Sequence, residues 1–201
     1  MPYSDFTLKK AKSELGLTVI EDQDLFSKIP AIQLSDYLSA TLQYNVPLAM
    51  AVGTEKARSE LIIANMLLEV RKLLHNTVSL FSGVMLDVDK DRGLMGFCDF
   101  IISKSPEQFY VSAPLIAVVE AKNENIVGGL GQCIAEMYAA ALFNQRENLN
   151  LPAVYGVVTT GGAWKFLKHQ DATIYIDVPE YHITNANKIL AILLEMVNQT
   201  A

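Results

Sequence analysis

Cysteine, histidine and long apolar runs are all scarce in this sequence. Its 201 residues include two cysteines, Cys98 and Cys133, and three histidines. Two cysteines are too few for a disulfide framework, and neither has a Cys or His partner at the spacing of a zinc site. No apolar run approaches the ~20 residues needed to cross a bilayer, and the N-terminus is too polar for a secretory signal. We therefore expect a cytoplasmic protein that does not bind membranes.

Positive charge is also scarce. The chain has 16 Lys and Arg residues against 22 Asp and Glu residues, a net charge of −6 at pH 7. A broadly cationic nucleic-acid coat and a binder of anionic membranes are both excluded, because they depend on the summed potential of many Lys and Arg side chains. A polyanion bound here would have to meet a local patch or a metal ion. With 51% hydrophobic and 19% charged residues, the chain suits one soluble domain with a substantial core.

The order of the predicted elements indicates an α/β domain. The predicted helices span about 5–16, 35–44, 55–76, 132–146 and 185–199, and the predicted strands about 77–86, 94–103, 113–122, 153–160, 163–169 and 172–178. Residues 17–30 have no clear assignment, and the Gly-rich residues 127–131 are interpreted as a flexible gap. We expect a mixed central β-sheet flanked by helices, with residues 1–53 as an N-terminal helical extension packed on a single core unit of residues 54–201.

The stretch APLIAVVEAK, Ala113–Lys122, is an apolar run that ends with two charged residues. Uninterrupted apolar strands are typical of sheets covered on both faces. Because side chains alternate along a strand, Glu120 and Lys122 should share one face at its carboxyl end, where ligands often bind in open α/β sheets. The alternative is a strand that leaves the core, so that its last two polar side chains meet water.

Two further carboxylates stand in apolar surroundings. Asp99 interrupts the run MGFCDFII, where a charge is costly unless something compensates it. On the long predicted helix, Glu60 falls on the stripe that also holds Leu67 and Arg71, opposite the plainly polar side. The alternative for Glu60 is a partly exposed carboxylate at a helix start, favoured there by the helix dipole.

These residues suit a magnesium site. Mg²⁺ usually takes one or two carboxylates and fills its octahedron with waters and phosphate oxygens. Asp99 and Glu120 would be the carboxylates, the backbone carbonyl of Ala121 a third ligand, and Glu60 a ligand through water. Mn²⁺ would substitute for Mg²⁺. Lys122 is placed to orient or deprotonate the attacking water and to offset transition-state charge in phosphodiester hydrolysis.

The same residues resemble the PD-(D/E)XK nuclease superfamily, which has the restriction-endonuclease-like fold. Asp99, Glu120 and Lys122 match its D…E-x-K core in order and strand placement. Glu60 matches the acidic residue on the leading helix. Gln132 matches the polar residue often found on the helix after E-x-K, which makes it a candidate substrate-binding residue. The resemblance implies an αβββαβ core and metal-dependent cleavage of DNA.

This resemblance covers roughly residues 54–178 and has two departures. Cys98 stands where the family's first motif has its proline. A Tyr that follows the Gln on the same helix face in some branches has no counterpart, because Tyr138 lies about 240° round the helix from Gln132. Glu136 shares the face of Gln132 instead.

Trp164 and Lys165 follow a predicted tight turn at Gly161 and Gly162. They are candidate substrate-binding residues, since an aromatic ring and a cation can contact a nucleic-acid strand by stacking and charge. The alternative is an aromatic side chain that covers the edge of the sheet.

We expect a Mg²⁺-dependent DNA endonuclease. One alternative is a non-catalytic nucleic-acid-binding or regulatory subunit on the same fold, which the low positive charge favours. Another is an α/β domain with an incidental cluster of charges. The sequence leaves the oligomeric state open, with a homodimer or a larger complex among the options.

Overall fold

The computed structural model describes residues 2–149 and 151–198. Its helices are α1 (Leu8–Glu14), α2 (Asp36–Val52), α3 (Glu55–Arg58), α4 (Ala64–Leu73), α5 (Ile126–Arg146) and α6 (Ala186–Asn198), with a π turn (Ser59–Ile63) between α3 and α4. Its strands are β1 (Thr18–Gln23), β2 (Ser79–Met85), β3 (Phe97–Ser103), β4 (Leu115–Ala121), β5 (Val154–Thr159), β6 (Ala163–Gln170), β7 (Thr173–Asp177) and β8 (Tyr181–His182). Gln199, the last residue of the predicted closing helix, lies outside the described residues.

The strands form one mixed sheet of eight strands. Its order is β1-β7-β6-β5-β4-β3-β2, and β8 pairs with β6. The pairs β4–β5 and β1–β7 are parallel, and the other pairs are antiparallel. All seven residues of β4 are buried, as the apolar run predicts. The expected mixed central sheet flanked by helices is confirmed.

Helices cover both faces of the sheet. On one face α2, α4 and α6 contribute buried side chains such as Leu42, Met66 and Ile189 to one core cluster. On the other face α1 and α5 contribute Ala11 and Cys133 to a second cluster. The sheet is therefore buried on both sides, which explains why its central strand carries no polar alternation.

The N-terminal segment is more than a helical extension. Residues Thr18–Gln23 form β1, which pairs in parallel with β7 at the edge of the main sheet. The β-branched run Thr18-Val19-Ile20 suits a strand, and β7 offers the only pairing edge on that side of the sheet among the described residues. The expected helical extension over residues 1–53, packed on the core, therefore also contains a strand that belongs to the same sheet as the rest of the chain.

The Gly-rich residues 127–131 are helical, which corrects the expectation of a flexible gap. Asn125 Oδ1 accepts a hydrogen bond from the Gly128 N–H, so α5 begins at Ile126. A Cβ atom added at Gly131 would lie 2.3 Å from the Phe6 carbonyl oxygen, and one at Gly129 would lie 2.7 Å from Val158. Glycine is required here because α5 approaches the N-terminal backbone and β5 closely.

α5 is long and apolar enough to cross a membrane, and it is the only described helix of which this is true. Of its most apolar window, 61% is buried inside the fold. This burial is what the core helix of a soluble protein shows.

The long predicted helix is continuous but changes its winding. The π turn (Ser59–Ile63) separates α3 from α4. A π turn holds about one more residue than an α-helical turn, so it rotates the side chains of α3 about the helix axis relative to those of α4. Leu67 is buried, whereas Glu60 is exposed. The expectation that Glu60 lies on the core stripe with Leu67 is therefore wrong, and the alternative of an exposed carboxylate near the helix start holds.

Candidate active site

Glu120 and Lys122 contact each other at the carboxyl end of β4. The Lys122 ammonium forms an ion pair with Glu120 Oε1 and donates a 3.1 Å hydrogen bond to Gln132 Oε1 on α5. The Glu120 side chain is only 2% exposed. The two residues share the face towards α5, as alternation predicts. The alternative in which both simply meet water does not hold, because Glu120 is buried.

A second buried carboxyl group, Glu136, lies beside this pair. Gln132 Nε2 donates a 3.0 Å hydrogen bond to Glu136 Oε1, and Glu136 is fully buried. The carboxyl groups of Glu120 and Glu136 hydrogen-bond to each other when one of them is protonated, and their Oε2 atoms have no other partner among the described residues. Glu136 is absent from the residues predicted as the site. Its i+4 spacing from Gln132 in an otherwise apolar helix was the available signal.

The two carboxyl groups perturb each other. Burial, and then the charge of Asp99, raises the pKa of Glu120 to about 7, although Lys122 acts in the opposite direction. Burial, and then Glu120, raises the pKa of Glu136 well above its ordinary value. Burial lowers the pKa of Lys122, but its hydrogen bond to Glu120 together with the charges of Glu120, Glu55 and Asp99 outweighs this and leaves the pKa above its ordinary value. Lys122 is therefore a cation between acids that resist ionisation.

The Asp99 carboxylate is hydrogen-bonded to the backbone next to Glu120. Its Oδ2 accepts a 2.8 Å hydrogen bond from the Ala121 N–H. Backbone pairing between β3 and β4 ends one residue earlier, at Phe100 and Val119. On the neighbouring β2, Gly83 has φ of +62°, a conformation that favours glycine. The strands therefore separate at Asp99, and its carboxylate takes the place of a backbone acceptor for β4.

Asp99 and Ala121 also line a cavity on the opposite side of β4 from Gln132. The cavity has a volume of about 380 Å³. Its lining residues are Glu55, Lys56, Ser59, Glu60, Ser82, Gly83, Asp99 and Ala121. The structure thus brings Glu60 to the cavity that Asp99 faces, where Glu60 pairs with Lys56 at 3.8 Å. Glu120 and Lys122 face α5, so the candidate residues surround the strand end from two sides.

Arg58 fixes the loop that follows Lys122. Its Nη1 donates to the carbonyl oxygen of Asn123, and its buried Nε has no partner among the described residues. A Cβ atom at Gly161 would lie 3.2 Å from the Arg58 side chain, so the β5–β6 turn packs against it. Arg58 was not predicted as a site residue, because no local pattern reports a contact 65 residues along the chain.

Trp164 and Lys165 are not both available to a ligand. Trp164 is 0% exposed, and its Nε1 donates a 3.0 Å hydrogen bond to the Gly161 carbonyl oxygen. Its role in stacking on a base is therefore a wrong expectation, since a ring inside the core cannot reach a nucleic acid. Lys165 lies on the opposite face of β6 and donates a 2.9 Å hydrogen bond to the Val178 carbonyl oxygen.

The end of β4 carries oxygen donors of the type that a divalent cation binds. Among the described residues, no three His, Cys, Asp or Glu side chains are grouped to hold a metal by themselves. Mg²⁺ needs fewer, because one or two carboxylates with waters and substrate oxygens complete its coordination. Asp99 lines the cavity beside α3, whereas Glu120 faces α5. A single Mg²⁺ ion held by both carboxylates and the Ala121 carbonyl would therefore require one of the two side chains to turn around the strand end.

Another cavity lies elsewhere on the fold. It has a volume of about 620 Å³ between α2 and the start of α6, and Asp36 is the only acidic or basic residue in its lining. A cavity with one ionisable group at its rim lacks the convergent charges of a catalytic site. The candidate active site is therefore the cluster around the end of β4.

Comparison with known proteins gives no relative. No family model, no curated protein and no solved structure matches the chain.

Proposed function

We propose that this chain is a Mg²⁺-dependent DNA endonuclease on a restriction-endonuclease-like core. The observation that carries the proposal is the grouping of Asp99, Glu120 and Lys122 around the end of β4, with Asp99 bonded to the Ala121 N–H. An acid, an acid and a lysine held together at one strand end have a desolvation cost that a plain structural strand has no reason to bear.

The order of elements supports the same fold. From α3–α4 the chain continues through β2, β3 and β4 to α5 and β5, which is the αβββαβ order of that core. Acidic residues near the leading helix, on the second strand and on the third strand would then correspond to the family's motifs. Gln132 on α5 touches Lys122, which fits the polar residue after E-x-K.

In this mechanism Asp99, Glu120 and the Ala121 carbonyl would hold Mg²⁺. The ion would neutralise phosphate charge and acidify a bound water. Lys122, kept cationic by Glu120, would stabilise negative charge on the phosphoryl oxygens. This favours electrostatic stabilisation by Lys122 over proton abstraction. Gln132 fixes the Lys122 ammonium through its side-chain oxygen.

A second candidate is a non-catalytic nucleic-acid-binding or regulatory module on the same fold. Two observations favour it. The net charge of −6 gives little general attraction for a polyanion, and the charge of Lys122 is already offset by Glu120. A partner protein would then supply the catalysis or the binding energy.

The deciding experiment is a cleavage assay. Labelled single strands, duplexes, flaps and four-way junctions would be incubated with the protein and Mg²⁺ or Mn²⁺. We expect cleavage by the wild type, and loss of cleavage with little loss of DNA binding in Lys122→Ala. Asp99→Ala should lose both activity and metal affinity. Glu147→Gln, an exposed change at the far end of α5, is the matched control and should cleave normally.

Two results would contradict the endonuclease proposal. Cleavage that survives both Lys122→Ala and Asp99→Ala would come from a contaminant or from another site. Binding of a nucleic acid without metal, combined with no cleavage of any substrate, would identify the protein as the non-catalytic module.

A further inference from the structure

The exposed side of α2 carries almost no charge. Between Lys28 and Glu55 the only charged residue is Asp36, at the first turn of α2. The helix buries Leu38, Leu42 and Ala49 against the core. Surface helices of soluble proteins normally place charged residues on the side that faces water. A neutral outward side of this length is therefore typical of a contact surface.

The outward side has a regular apolar spacing. Tyr37, Ala40, Tyr44, Leu48 and Ala51 are exposed and follow one another at intervals of three or four residues. We call these five residues the α2 seam. Such spacing is that of a helix side made to pack on another helix. Tyr37 and Tyr44 are 68% and 75% exposed, which leaves two large rings mostly uncovered on that side.

The apolar surface continues onto α4. The Lys72 ammonium lies over the Tyr37 ring at 5.5 Å, so the C-terminal half of α4 runs beside the start of the α2 seam. Leu68 lies one turn before Lys72 on the same side of α4 and is 52% exposed. The neutral surface is thus wider than one helix.

We propose that the α2 seam is the contact with a second copy of this chain, antiparallel across a two-fold axis at Tyr44. Tyr44 is the central residue of Asp36–Val52. In that arrangement Tyr37 faces Ala51 of the other copy, Ala40 faces Leu48, and Tyr44 faces itself. On each side of Tyr44, a large side chain of one copy therefore meets a small side chain of the other. A two-fold interface requires this self-complementarity, and close packing favours it.

The net negative charge of the chain also favours the α2 seam as the contact between two copies. Each copy carries a net charge of −6, so two copies repel through most of their surfaces. Approach through the α2 seam avoids this repulsion, because its one acidic neighbour, Asp36, would face the apolar Val52. Tyrosine is also enriched at the centres of protein interfaces.

The size of the contact predicts a moderate affinity. A helix of 17 residues is about 25 Å long. The area that one side of such a helix can bury is small compared with the roughly 800 Å² per partner of stable complexes. We expect a homodimer that dissociates at micromolar concentrations. α3 begins just after α2 ends, so the two copies of α3 would lie at opposite ends of the helix pair.

Charge variants at the axis test the proposal. Sedimentation equilibrium should show a wild-type dimer, whereas Tyr44→Lys and Tyr44→Glu should each weaken dimerisation at least about thirtyfold, the loss typical of a central interface aromatic. Each variant alone places like charges face to face. An equimolar mixture of the two should recover a heterodimer, because Tyr44 meets Tyr44. Tyr110→Glu, an exposed change outside the α2 seam, should leave the dimer intact.

Cross-linking tests the register independently. Tyr44→Cys should form a disulfide-linked dimer on mild oxidation, while Ala51→Cys alone should not. Ala51→Cys should cross-link when mixed with Tyr37→Cys. The native thiols give no background, since Cys98 and Cys133 are buried. A wild-type monomer at all concentrations tested, or a Tyr44→Lys variant that dimerises like the wild type, would overturn the proposal.

Discussion

Gln132 donates a 3.0 Å hydrogen bond from Nε2 to Glu136 Oε1, and this bond sets the orientation of its amide. With Nε2 committed to Glu136, the side-chain oxygen of Gln132 is the atom that faces Lys122, from which it accepts a 3.1 Å hydrogen bond. Glu136 therefore acts on Lys122 through Gln132. The residue that the resemblance assigns to substrate binding also positions the lysine.

The first prediction distinguishes the role of Lys122 from that of Gln132, which positions it. Lys122→Ala should lower kcat on a cleaved substrate by about 10²–10³-fold, because it removes a charge that acts on the transition state. Gln132→Ala should lower kcat by about tenfold or less, since an uncharged amide positions Lys122 without replacing it. Single-turnover kinetics at saturating DNA would measure both. An equal loss in the two variants would contradict a supporting role for Gln132.

The second prediction concerns pH. The pKa of Glu120 is about 7 in the fold against 4.5 for an unperturbed side chain. A carboxyl group with a raised folded pKa holds its proton more tightly in the folded state. Its contribution to stability is therefore complete below pH 4.5 and is lost as the pH rises through 7. Over this window the free energy of unfolding should fall by roughly 3 kcal/mol without metal. The raised pKa of Lys122 acts above pH 10.5 and does not enter this window.

Urea unfolding at pH 5 and pH 8 in the presence of a chelator would measure this loss. Glu136→Gln should reduce it, because the neutral amide replaces a buried acid whose pKa is also raised. Glu147→Gln, on the exposed end of the same helix, should keep the wild-type pH dependence. A free energy of unfolding that is constant from pH 5 to pH 8 would contradict the buried carboxyl pair.

The strand end could be predicted from the sequence, whereas its surroundings could not. The alternation of side chains along an apolar strand is a local rule, so Glu120 and Lys122 fall on one face as expected. The partner of Asp99, the Ala121 N–H, depends on where two strands separate. That separation is a property of the sheet and leaves no mark in either strand's own sequence.

Helix winding and close packing explain the other differences. The π turn shifts the phase of the long helix, so a wheel drawn at 100° per residue misplaces Glu60. The Gly-rich run looks like a break by propensity, yet Gly129 lies against the side chains of Val158 and Lys122, and Gly131 lies against the backbone at Phe6 and Thr7. The helix predicted over 35–44 continues as α2 to Val52, with Pro47 inside it. In each case tertiary contacts override a local preference.

The third prediction uses the glycines of α5 as a matched pair. Gly131→Ala should destabilise the fold by about 1–3 kcal/mol, because the new Cβ would lie 2.3 Å from the backbone at Phe6 and Thr7, which cannot move cheaply. Gly128→Ala meets only the end of the Asn125 side chain, at 2.9 Å, and should be neutral or stabilising by up to about 1 kcal/mol. Chemical unfolding of both variants would measure the difference. Equal effects would show that α5 does not approach the N-terminal backbone.

The fourth prediction concerns metal binding. The charge of Asp99 raises the pKa of Glu120 and so the cost of ionising it, and a divalent cation would relieve this cost. Millimolar Mg²⁺ or Mn²⁺ should therefore raise the thermal midpoint. Binding to the folded state alone stabilises by about 2.7 kcal/mol when the free ion is at 100 times its Kd.

Glu120→Gln should remove most of this increment in the thermal midpoint, because it deletes one of the two carboxylates of the proposed metal site. Its own midpoint without metal should be higher than that of the wild type at pH 8, since the amide does not have to lose a proton inside the fold. Glu147→Gln is the matched control, and its response to metal should equal that of the wild type. A wild-type midpoint that is indifferent to both ions would remove the metal from the mechanism and favour the non-catalytic module.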